Sequence, residues 1–251
     1  DDNDRGGRRI TVKILVLESS GLVASVAVVT EEKLIGEYTT NFKKTHSQTL
    51  LPMMDTLLKM IGIPVQEMDA IVSGGPGSFT GLRIGSATAK GLGLALSIPI
   101  ISVPTVDAIA YNLCGTDAVV CPLMDARRNQ TYTGLYTFDG DQMKCISGQK
   151  AVMLGEIIDE INQLGRKVIF LGDGVPVFKP YIEEHIQVPH SYAPIHLSQQ
   201  RAGALGALAL QYYHEGKYES AAEHQPDYLR VSQAERERAQ RLKKESEGEK
   251  A

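Results

Sequence analysis

The sequence reads Ser73-Gly74-Gly75-Pro76-Gly77-Ser78-Phe79-Thr80-Gly81-Leu82-Arg83-Ile84-Gly85 where an apolar segment gives way to a helical pattern. Residues 70–73 predict a short strand, and residues 82–96 predict a helix. Glycines between a strand and a helix let a phosphate approach backbone N–H groups, and they equally allow close packing or positive φ values. Ser78 or Thr80 is predicted to cap the helix.

This turn does not match the known phosphate-binding or nucleophile fingerprints. A dinucleotide fingerprint needs a third glycine where Thr80 stands, and a P-loop needs a Gly-Lys-Ser/Thr sequence that the turn lacks. A nucleophile elbow needs glycines two residues before and after a serine, whereas Ser78 has Pro76 and Thr80 there. Phosphate binding and a purely packing role are therefore equal alternatives.

The same order of predicted elements occurs twice along the chain. In each copy an apolar strand ends at an acid, Glu18 or Asp125, and a turn, two more strands, a helix and a strand follow. In the first copy these elements cover residues 13–17, 24–30, 34–39, 47–60 and 70–73. In the second they cover residues 119–124, 131–138, 143–146, 154–164 and 168–171. The repeated order predicts a duplicated α/β fold with two mixed sheets flanked by helices.

Two predicted helices of the first copy carry more apolar or small residues than one buried face needs. The helix over residues 47–60 is rich in leucine and methionine. The helix over residues 82–96 has two small-residue faces, Gly85 with Ala89 and Gly93, and Ala87 with Gly91 and Ala95. Small residues four apart let another backbone approach closely, and a helical glycine costs up to about 1 kcal/mol relative to alanine. One of the two small faces is therefore predicted to be an interface.

The composition is that of an ordinary globular protein. The chain has 251 residues, of which 43% are hydrophobic and 22% charged, so it can bury a substantial core. No apolar run is long enough to cross a bilayer. Cys114, Cys121 and Cys145 form no CxxC pair, which fits a reducing cytoplasm. The net charge of −4 argues against nucleic-acid binding by this chain unaided, because phosphate neutralisation dominates such affinity.

Both ends of the chain are predicted to lie outside the fold. Residues 1–11 are charged and contain no apolar segment, which indicates a disordered extension rather than a secretory signal. Residues 234–251 alternate in charge and predict a solvated tail. The folded part is predicted to divide into an N-terminal lobe over residues 12–104 and a C-terminal lobe over residues 105–233.

Five segments, in the order in which they follow one another along the chain, resemble those of the TsaB family, formerly called YeaZ. The longest is the glycine-rich stretch over residues 75–85, which is followed by Ala89-Lys90-Gly91. The other four are His46-Ser47-Gln48 with Leu50-Leu51-Pro52, Met124-Asp125-Ala126-Arg127-Arg128, Gly172-Asp173-Gly174, and Tyr228-Leu229-Arg230 with Gln233-Ala234-Glu235. Together the five segments span nearly the whole folded chain.

The resemblance implies an actin-like, Hsp70-like ATPase fold (the ASKHA fold) with two duplicated lobes. It implies a non-catalytic subunit that forms a heterodimer with TsaD, joins TsaE in a ternary complex, and supports threonylcarbamoyl transfer to adenosine 37 of tRNAs reading codons that begin with A. It further implies a homodimer of the free subunit, tRNA contact only through the complex, a cytoplasmic location, no membrane contact and no required cofactor.

The resemblance also assigns residues to two surfaces. The partner is expected on the first two helices, through Leu50, Leu51, Met53, Met54, Leu57, Leu58, Gly85, Ala89, Leu92 and Gly93. The glycine-rich turn is expected to be a vestigial phosphate loop, which leaves weak ATP or ADP binding open, through Gly75, Gly77, Ser78, Thr80, Gly81 and Arg83. Leu57→Glu is predicted to break both the heterodimer and the homodimer while leaving the fold intact.

Independent catalysis is not expected. TsaD-like proteins carry a His-x-x-x-His metal pair where Thr105 and Ile109 stand here, and isoleucine has no donor atom while threonine is a poor transition-metal ligand. No catalytic residue and no metal site is therefore predicted. Glu18 stands where most family members have aspartate, as a vestigial nucleotide-site acid, and a hydrogen bond to Ser19 or Ser20 is its favoured role.

Two alternatives remain at this stage. Asp125 beside Arg127 and Arg128 could bind a substrate anion, but a local salt-bridged turn is favoured for an acid next to two bases. The alternative function is an ATPase or small-molecule kinase of the same fold that uses Glu18 and the loop over residues 75–81.

Overall fold

The structure is a computed structural model, and it describes residues 11–42 and 45–229. The predicted N-terminal extension, except for Thr11, and the predicted charged tail lie outside the described residues. The same holds for the end of the last family segment, from Arg230 onward.

The first half of the chain builds a five-stranded mixed sheet in the order β3-β2-β1-β4-β5. Its strands are β1 (Ile14–Glu18), β2 (Ala24–Val29), β3 (Leu34–Thr40), β4 (Ala70–Gly75) and β5 (Ile100–Pro104). Strands β1, β4 and β5 are parallel to one another, and β2 and β3 continue the sheet antiparallel. All residues of β1 and β2 are buried, because helices cover both faces of the sheet.

The second half repeats this sheet in the order β8-β7-β6-β9-β10. Its strands are β6 (Val119–Asp125), β7 (Gln130–Asp139), β8 (Gln142–Met153), β9 (Val168–Leu171) and β10 (His190–Tyr192). The strand directions also repeat, since β6, β9 and β10 are parallel and β7 and β8 are antiparallel to their neighbours. The predicted duplication with two mixed sheets is confirmed.

Helices pack on both faces of the first sheet. α1 (His46–Ile61) and α2 (Phe79–Leu96) pack on one face, and α6 (Ala202–His214) packs on the other. Ser78 caps α2, as predicted, by accepting a hydrogen bond from the N–H of Gly81. The approach of α6 to the sheet is close, because a Cβ on Gly206 would lie 2.7 Å from a methyl group of Val29.

The second sheet has α4 (Leu154–Leu164) and α5 (Val175–His185) on one face and α3 (Thr105–Tyr111) on the other. α3 also contacts α6, so it lies between the two lobes. The sequence did not predict α3, α5 or β10. α5 contains Pro176 and Pro180, which look like helix breakers in a sequence pattern.

The segment after α6 returns along the first lobe. Glu219 pairs with Ile100 at the edge of β5, and Lys90 of α2 donates hydrogen bonds to the carbonyl oxygens of Ala222 and His224. The first lobe therefore also contains residues far beyond its predicted boundary at residue 104. In the described part of the chain, no helix is both long and apolar enough to cross a membrane.

Candidate functional site

A cleft of about 620 Å³ opens between the two lobes, at the ends of β1 and β6. From the first lobe, it is lined by the β1–β2 turn, the start of α1 and the glycine-rich turn before α2. From the second lobe, it is lined by the β6–β7 turn, Tyr132 and Asp173. The duplicated strand–acid–turn units thus face each other across this cleft.

The glycine-rich turn packs directly on the β1–β2 turn. A Cβ added to Gly77 would overlap the carbonyl oxygen of Ser20, and one added to Gly81 would overlap that of Ser19. The N–H of Ser78 donates to the Ser20 carbonyl at 2.6 Å, and the Ser19 hydroxyl donates to the Gly81 carbonyl at 2.9 Å. The glycines of this turn therefore serve the close approach of two backbone segments, which is the packing alternative.

Two further residues of the predicted phosphate loop, Gly75 and Arg83, also contact protein groups. Gly75 lies against Asp227, with its added Cβ 3.3 Å from the aspartate Cβ. The Arg83 guanidinium lies 3.9 Å from the centre of the Phe79 ring and donates to the Tyr228 hydroxyl at 3.3 Å. Thr80 is exposed and lines the cleft.

Glu18 is buried at the end of β1 with only 1% of its surface exposed. One carboxylate oxygen, Oε1, accepts from the Ser20 N–H at 2.6 Å and from the Ser20 hydroxyl, which confirms the predicted bond to a neighbouring serine. Burial raises the pKa of Glu18, and the negative charge of Asp173 raises it further, against the lowering effect of the Ser20 hydrogen bonds. This carboxyl group belongs to the turn and not to the surface of the cleft.

Asp173 joins the two lobes at the base of the cleft. Its Oδ1 accepts from the N–H of Asp125 at 3.2 Å, and an added Cβ on Gly21 would lie 3.2 Å from its other oxygen. Burial raises the pKa of Asp173. The chain therefore holds two carboxyl groups with raised pKa values, Glu18 and Asp173, at the point where the lobes meet.

The β6–β7 turn on the opposite side is exposed and has an unusual backbone. Arg127, Arg128 and Asn129 are consecutive residues with φ of 65°, 56° and 57°. This left-handed region costs an L-residue roughly 1–2 kcal/mol unless it is glycine, asparagine or aspartate. Asp125 accepts from the Arg127 N–H at 2.8 Å and pairs with its guanidinium at 3.2 Å. The predicted local salt-bridged turn is confirmed.

The start of α1 contacts the β1–β2 turn through His46. Its Nε2 lies 2.8 Å from the carbonyl oxygen of Gly21, so the ring donates this bond from a protonated Nε2. Thr105 and Ile109 stand at the positions compared with a TsaD-like metal pair. Both belong to α3 and are buried in the interior, each with 1% of its surface exposed. Neither side chain reaches the cleft surface.

Eight of the ten predicted interface residues lie in the chain's own interior. They are Leu50, Met53, Met54, Leu57, Leu58, Gly85, Ala89 and Gly93. The physical reason is that α1 packs against β2, β3 and α2 together, so its buried face is wide. The expected exposure of these eight residues is therefore corrected, and so is the expectation that Leu57→Glu leaves the fold intact. Of the other two, Leu51 is exposed and Leu92 is half-buried.

The exposed faces of the same two helices carry different residues. On α2, the second small-residue face, Ala87, Gly91 and Ala95, points outward, and an added Cβ on Gly91 would meet nothing within 4 Å. Next to it, Leu94 is 55% exposed. On α1, Leu51 and Met60 are 48% and 81% exposed. The sequence pattern contained both small faces of α2 but did not show which one is buried.

Comparisons with known proteins agree with one another. The family model described as "TsaD: tRNA N6-adenosine threonylcarbamoyltransferase" matches residues 33–238. The Bacillus subtilis (strain 168) tRNA threonylcarbamoyladenosine biosynthesis protein TsaB is 33% identical over 226 residues, covering 88% of this chain and 96% of that protein. The Escherichia coli (strain K12) protein of the same name is 28% identical, covering 87% and 95%.

A solved structure described as YeaZ from Pseudomonas aeruginosa has the same architecture. It superposes with a TM-score of 0.71 at 27% identity, covering 87% of this chain and 100% of that chain. The two mixed sheets of this chain have the same strand order, which agrees with the duplicated two-lobed fold that the family resemblance implies.

Proposed function

This chain belongs to the TsaB (YeaZ) family, and on that basis we propose that it takes part in threonylcarbamoyladenosine synthesis in tRNA as a subunit without chemistry of its own. Its proposed partner is TsaD, with TsaE joining the complex, and the reaction supported is threonylcarbamoyl transfer to adenosine 37 of tRNAs that read codons beginning with A. The complex is proposed to work in the cytoplasm, and this chain needs no cofactor.

The packing of the glycine-rich turn carries the non-catalytic proposal. In an active phosphate loop, backbone N–H groups and space beside the glycines are needed for the ligand. Here Gly77 and Gly81 are in contact with the carbonyl groups of Ser20 and Ser19, and the Ser78 N–H already has an acceptor. Glu18 is likewise hydrogen-bonded within its own turn. This arrangement supports a role other than ATP hydrolysis.

The exposed faces of α1 and α2 form the proposed partner surface. An outward-facing row of small residues, Ala87, Gly91 and Ala95, lets a partner helix approach closely. Leu51 and Leu94 add exposed apolar area beside that row, and such patches mark association surfaces. The same surface can form a homodimer when TsaD is absent, so the two assemblies compete.

The function is tested by mixing the purified chain with TsaD and TsaE from the same organism. Complex formation is measured by analytical ultracentrifugation, and threonylcarbamoyl transfer to tRNA is measured with and without this chain. A stable complex and a transfer reaction that needs the chain are expected. ATP turnover by the isolated chain, abolished in Glu18→Gln, would instead establish the ATPase alternative.

A pair of leucine variants on α1 separates partner binding from folding. Leu51→Glu introduces a charge on the exposed face, so we expect a folded chain whose affinity for TsaD falls by at least about tenfold, as for a central interface residue. Leu57→Glu places the charge in the core, and we expect it to destabilise the chain by about 3–5 kcal/mol or to unfold it. Circular dichroism and sedimentation of both variants distinguish the outcomes. A folded Leu51→Glu chain that binds TsaD normally would refute this placement of the interface.

A further inference from the structure

The β6–β7 turn keeps two arginines in a backbone conformation that glycine would adopt without strain. Arg127 and Arg128 both have positive φ, and the turn closes with hydrogen bonds between Ala126 and Gln130 and between Gln130 and Arg127. Neither of these bonds uses a guanidinium, although that of Arg127 also pairs with Asp125. Strained residues of this kind cluster at functional sites.

The two arginines differ in how far they are neutralised. Arg127 is paired with Asp125 and lines the cleft. Arg128 is exposed, and within the described residues its side chain has neither a hydrogen bond nor an ion pair. The turn thus presents a paired guanidinium that lines the cleft and, on the next residue, an exposed guanidinium without an ion-pair partner in the described part of the chain.

We propose that Arg128, with Arg127 beside it, contacts the phosphate backbone of the tRNA when the chain is in its complex. This inference rests on the proposed function and names a part of the RNA-binding surface. A guanidinium recognises phosphate oxygens through two parallel hydrogen bonds. Tight capture of a small free anion needs several donors converging in a concave site, whereas Arg128 is exposed and is not among the residues that line the cleft, so an extended backbone of phosphates can reach it.

The charge of the chain agrees with a local contact of this kind. The net charge is −4, so the chain as a whole does not attract RNA, and it adds a small number of phosphate contacts to those of its partner. Each such contact has a measurable signature, because it releases counterions and adds about 0.9 to the slope of log affinity against log salt concentration for duplex nucleic acid, or about 0.7 for a single strand.

The test measures tRNA affinity of the complex of this chain with TsaD over a range of salt concentrations. The variants are Arg128→Gly, Arg128→Lys, and Arg166→Gly as a matched control. Arg166 is an exposed arginine just before β9, at the end of the parallel strands opposite to the β6–β7 turn. Arg128→Gly is expected to weaken tRNA binding about fivefold to tenfold near 0.1 M salt and to lower the salt slope by roughly 1. Arg128→Lys keeps most of the affinity, and Arg166→Gly keeps all of it.

A stability measurement on the same variants excludes a structural cause. Because glycine relieves the left-handed strain, the Tm of Arg128→Gly is expected to stay unchanged or to rise by a few degrees. Lower RNA affinity in an equally or more stable chain supports the phosphate contact. An unchanged affinity and salt slope overturns it.

Two further arms distinguish the causes of failure. If the complex forms and Arg128→Gly binds tRNA normally, this inference alone fails. If no complex forms and the chain leaves the tRNA affinity of TsaD unchanged, the proposed function fails together with it. Binding of ATP or pyrophosphate by the isolated chain, lost in Arg128→Gly, would assign the arginine to a nucleotide phosphate and overturn the RNA assignment.

Discussion

The β1–β2 turn and the β6–β7 turn occupy equivalent places in the two halves of the duplicated fold, and they have opposite characters. Each follows a central strand that ends in an acid, Glu18 in the first half and Asp125 in the second. The first acid is buried and hydrogen-bonded to Ser20. The second is only partly buried and pairs with the exposed Arg127.

The difference lies in what covers each turn. The glycine-rich turn packs on the first, so its backbone groups and its acid are enclosed within the protein. On the second turn, residues 172–174 pack against Leu123, and Asp173 accepts a hydrogen bond from the N–H of Asp125. Arg127 and Arg128 remain exposed. The two copies of the turn thus differ in how much of their polar surface the rest of the fold encloses.

The largest expected effect comes from breaking the packing of the first turn. Gly81→Ala places a methyl group on the Ser19 carbonyl oxygen, so we expect a loss of about 3 kcal/mol or more in the free energy of unfolding. The matched control is Gly91→Ala in the same helix, which has open space around it and should gain about 0.5–1 kcal/mol from higher helix propensity. Urea denaturation of both variants checks the contrast, and equal stabilities would contradict it.

A second experiment tests the burial of Glu18 through the pH dependence of the free energy of unfolding. Because the folded-state pKa of Glu18 is raised above its ordinary value of 4.5, the folded chain holds this proton more tightly than the unfolded chain does. The resulting stabilisation is fully present below pH 4.5 and is lost as the pH rises through the folded-state pKa. Glu18→Gln removes this titration and can still accept the Ser20 hydrogen bonds. We therefore expect its stability to fall less between pH 4 and pH 8 than that of the parent chain.

The control for this experiment is Glu32→Gln, which changes an exposed glutamate in the turn between β2 and β3. Its stability profile should run parallel to that of the parent chain. Part of the pH dependence should remain in Glu18→Gln, because burial also raises the pKa values of Asp107 and Asp173. Parallel profiles for Glu18→Gln and the parent would show that Glu18 is not protonated in the fold.

The smallest effect is expected at the second acid. Asp125→Asn weakens an ion pair whose arginine side chain is 81% exposed, and such pairs contribute about 0–1 kcal/mol. Asparagine can still accept the Arg127 N–H, so the turn should keep its shape. We expect less than about 1 kcal/mol of change in the free energy of unfolding. A loss as large as that of Gly81→Ala would mean that this turn also serves the core.

The sequence predicted the strands and helices whose pattern of apolar residues lies within one short stretch of the chain. The buried strands appear as apolar runs, and the repeated order of strand, acid, turn and helix was visible although the sequence identity between the halves is negligible. It did not predict α5, because Pro176 and Pro180 interrupt the helical pattern, nor α3, which is only seven residues long. Their stability comes from packing against the second sheet and not from local propensity.

The sequence identified residues that belong to the site, but it did not show what those residues contact. Glycines suit both a phosphate loop and a close backbone approach, and the sequence did not show that Ser19 and Ser20 lie beside Gly77 and Gly81. Burial of Leu57 depends on the way α1 lies between strands and α2, which no single-helix pattern reveals. The positive φ of Arg128 had no sequence signal, because arginine has no preference for that conformation.

The return of α6 to the first sheet sets an order for events during synthesis on the ribosome. Ala202, Leu205 and Ala209 cover Val16 and Ile101 on that sheet, so its apolar face stays uncovered until α6 (Ala202–His214) has been translated. At about 5–20 residues per second, the first sheet waits several seconds for its cover. The second lobe, whose sheet and helices are contiguous in sequence, can complete its core earlier. We therefore expect nascent chains that end before α6 to depend on chaperones more strongly than the full chain does.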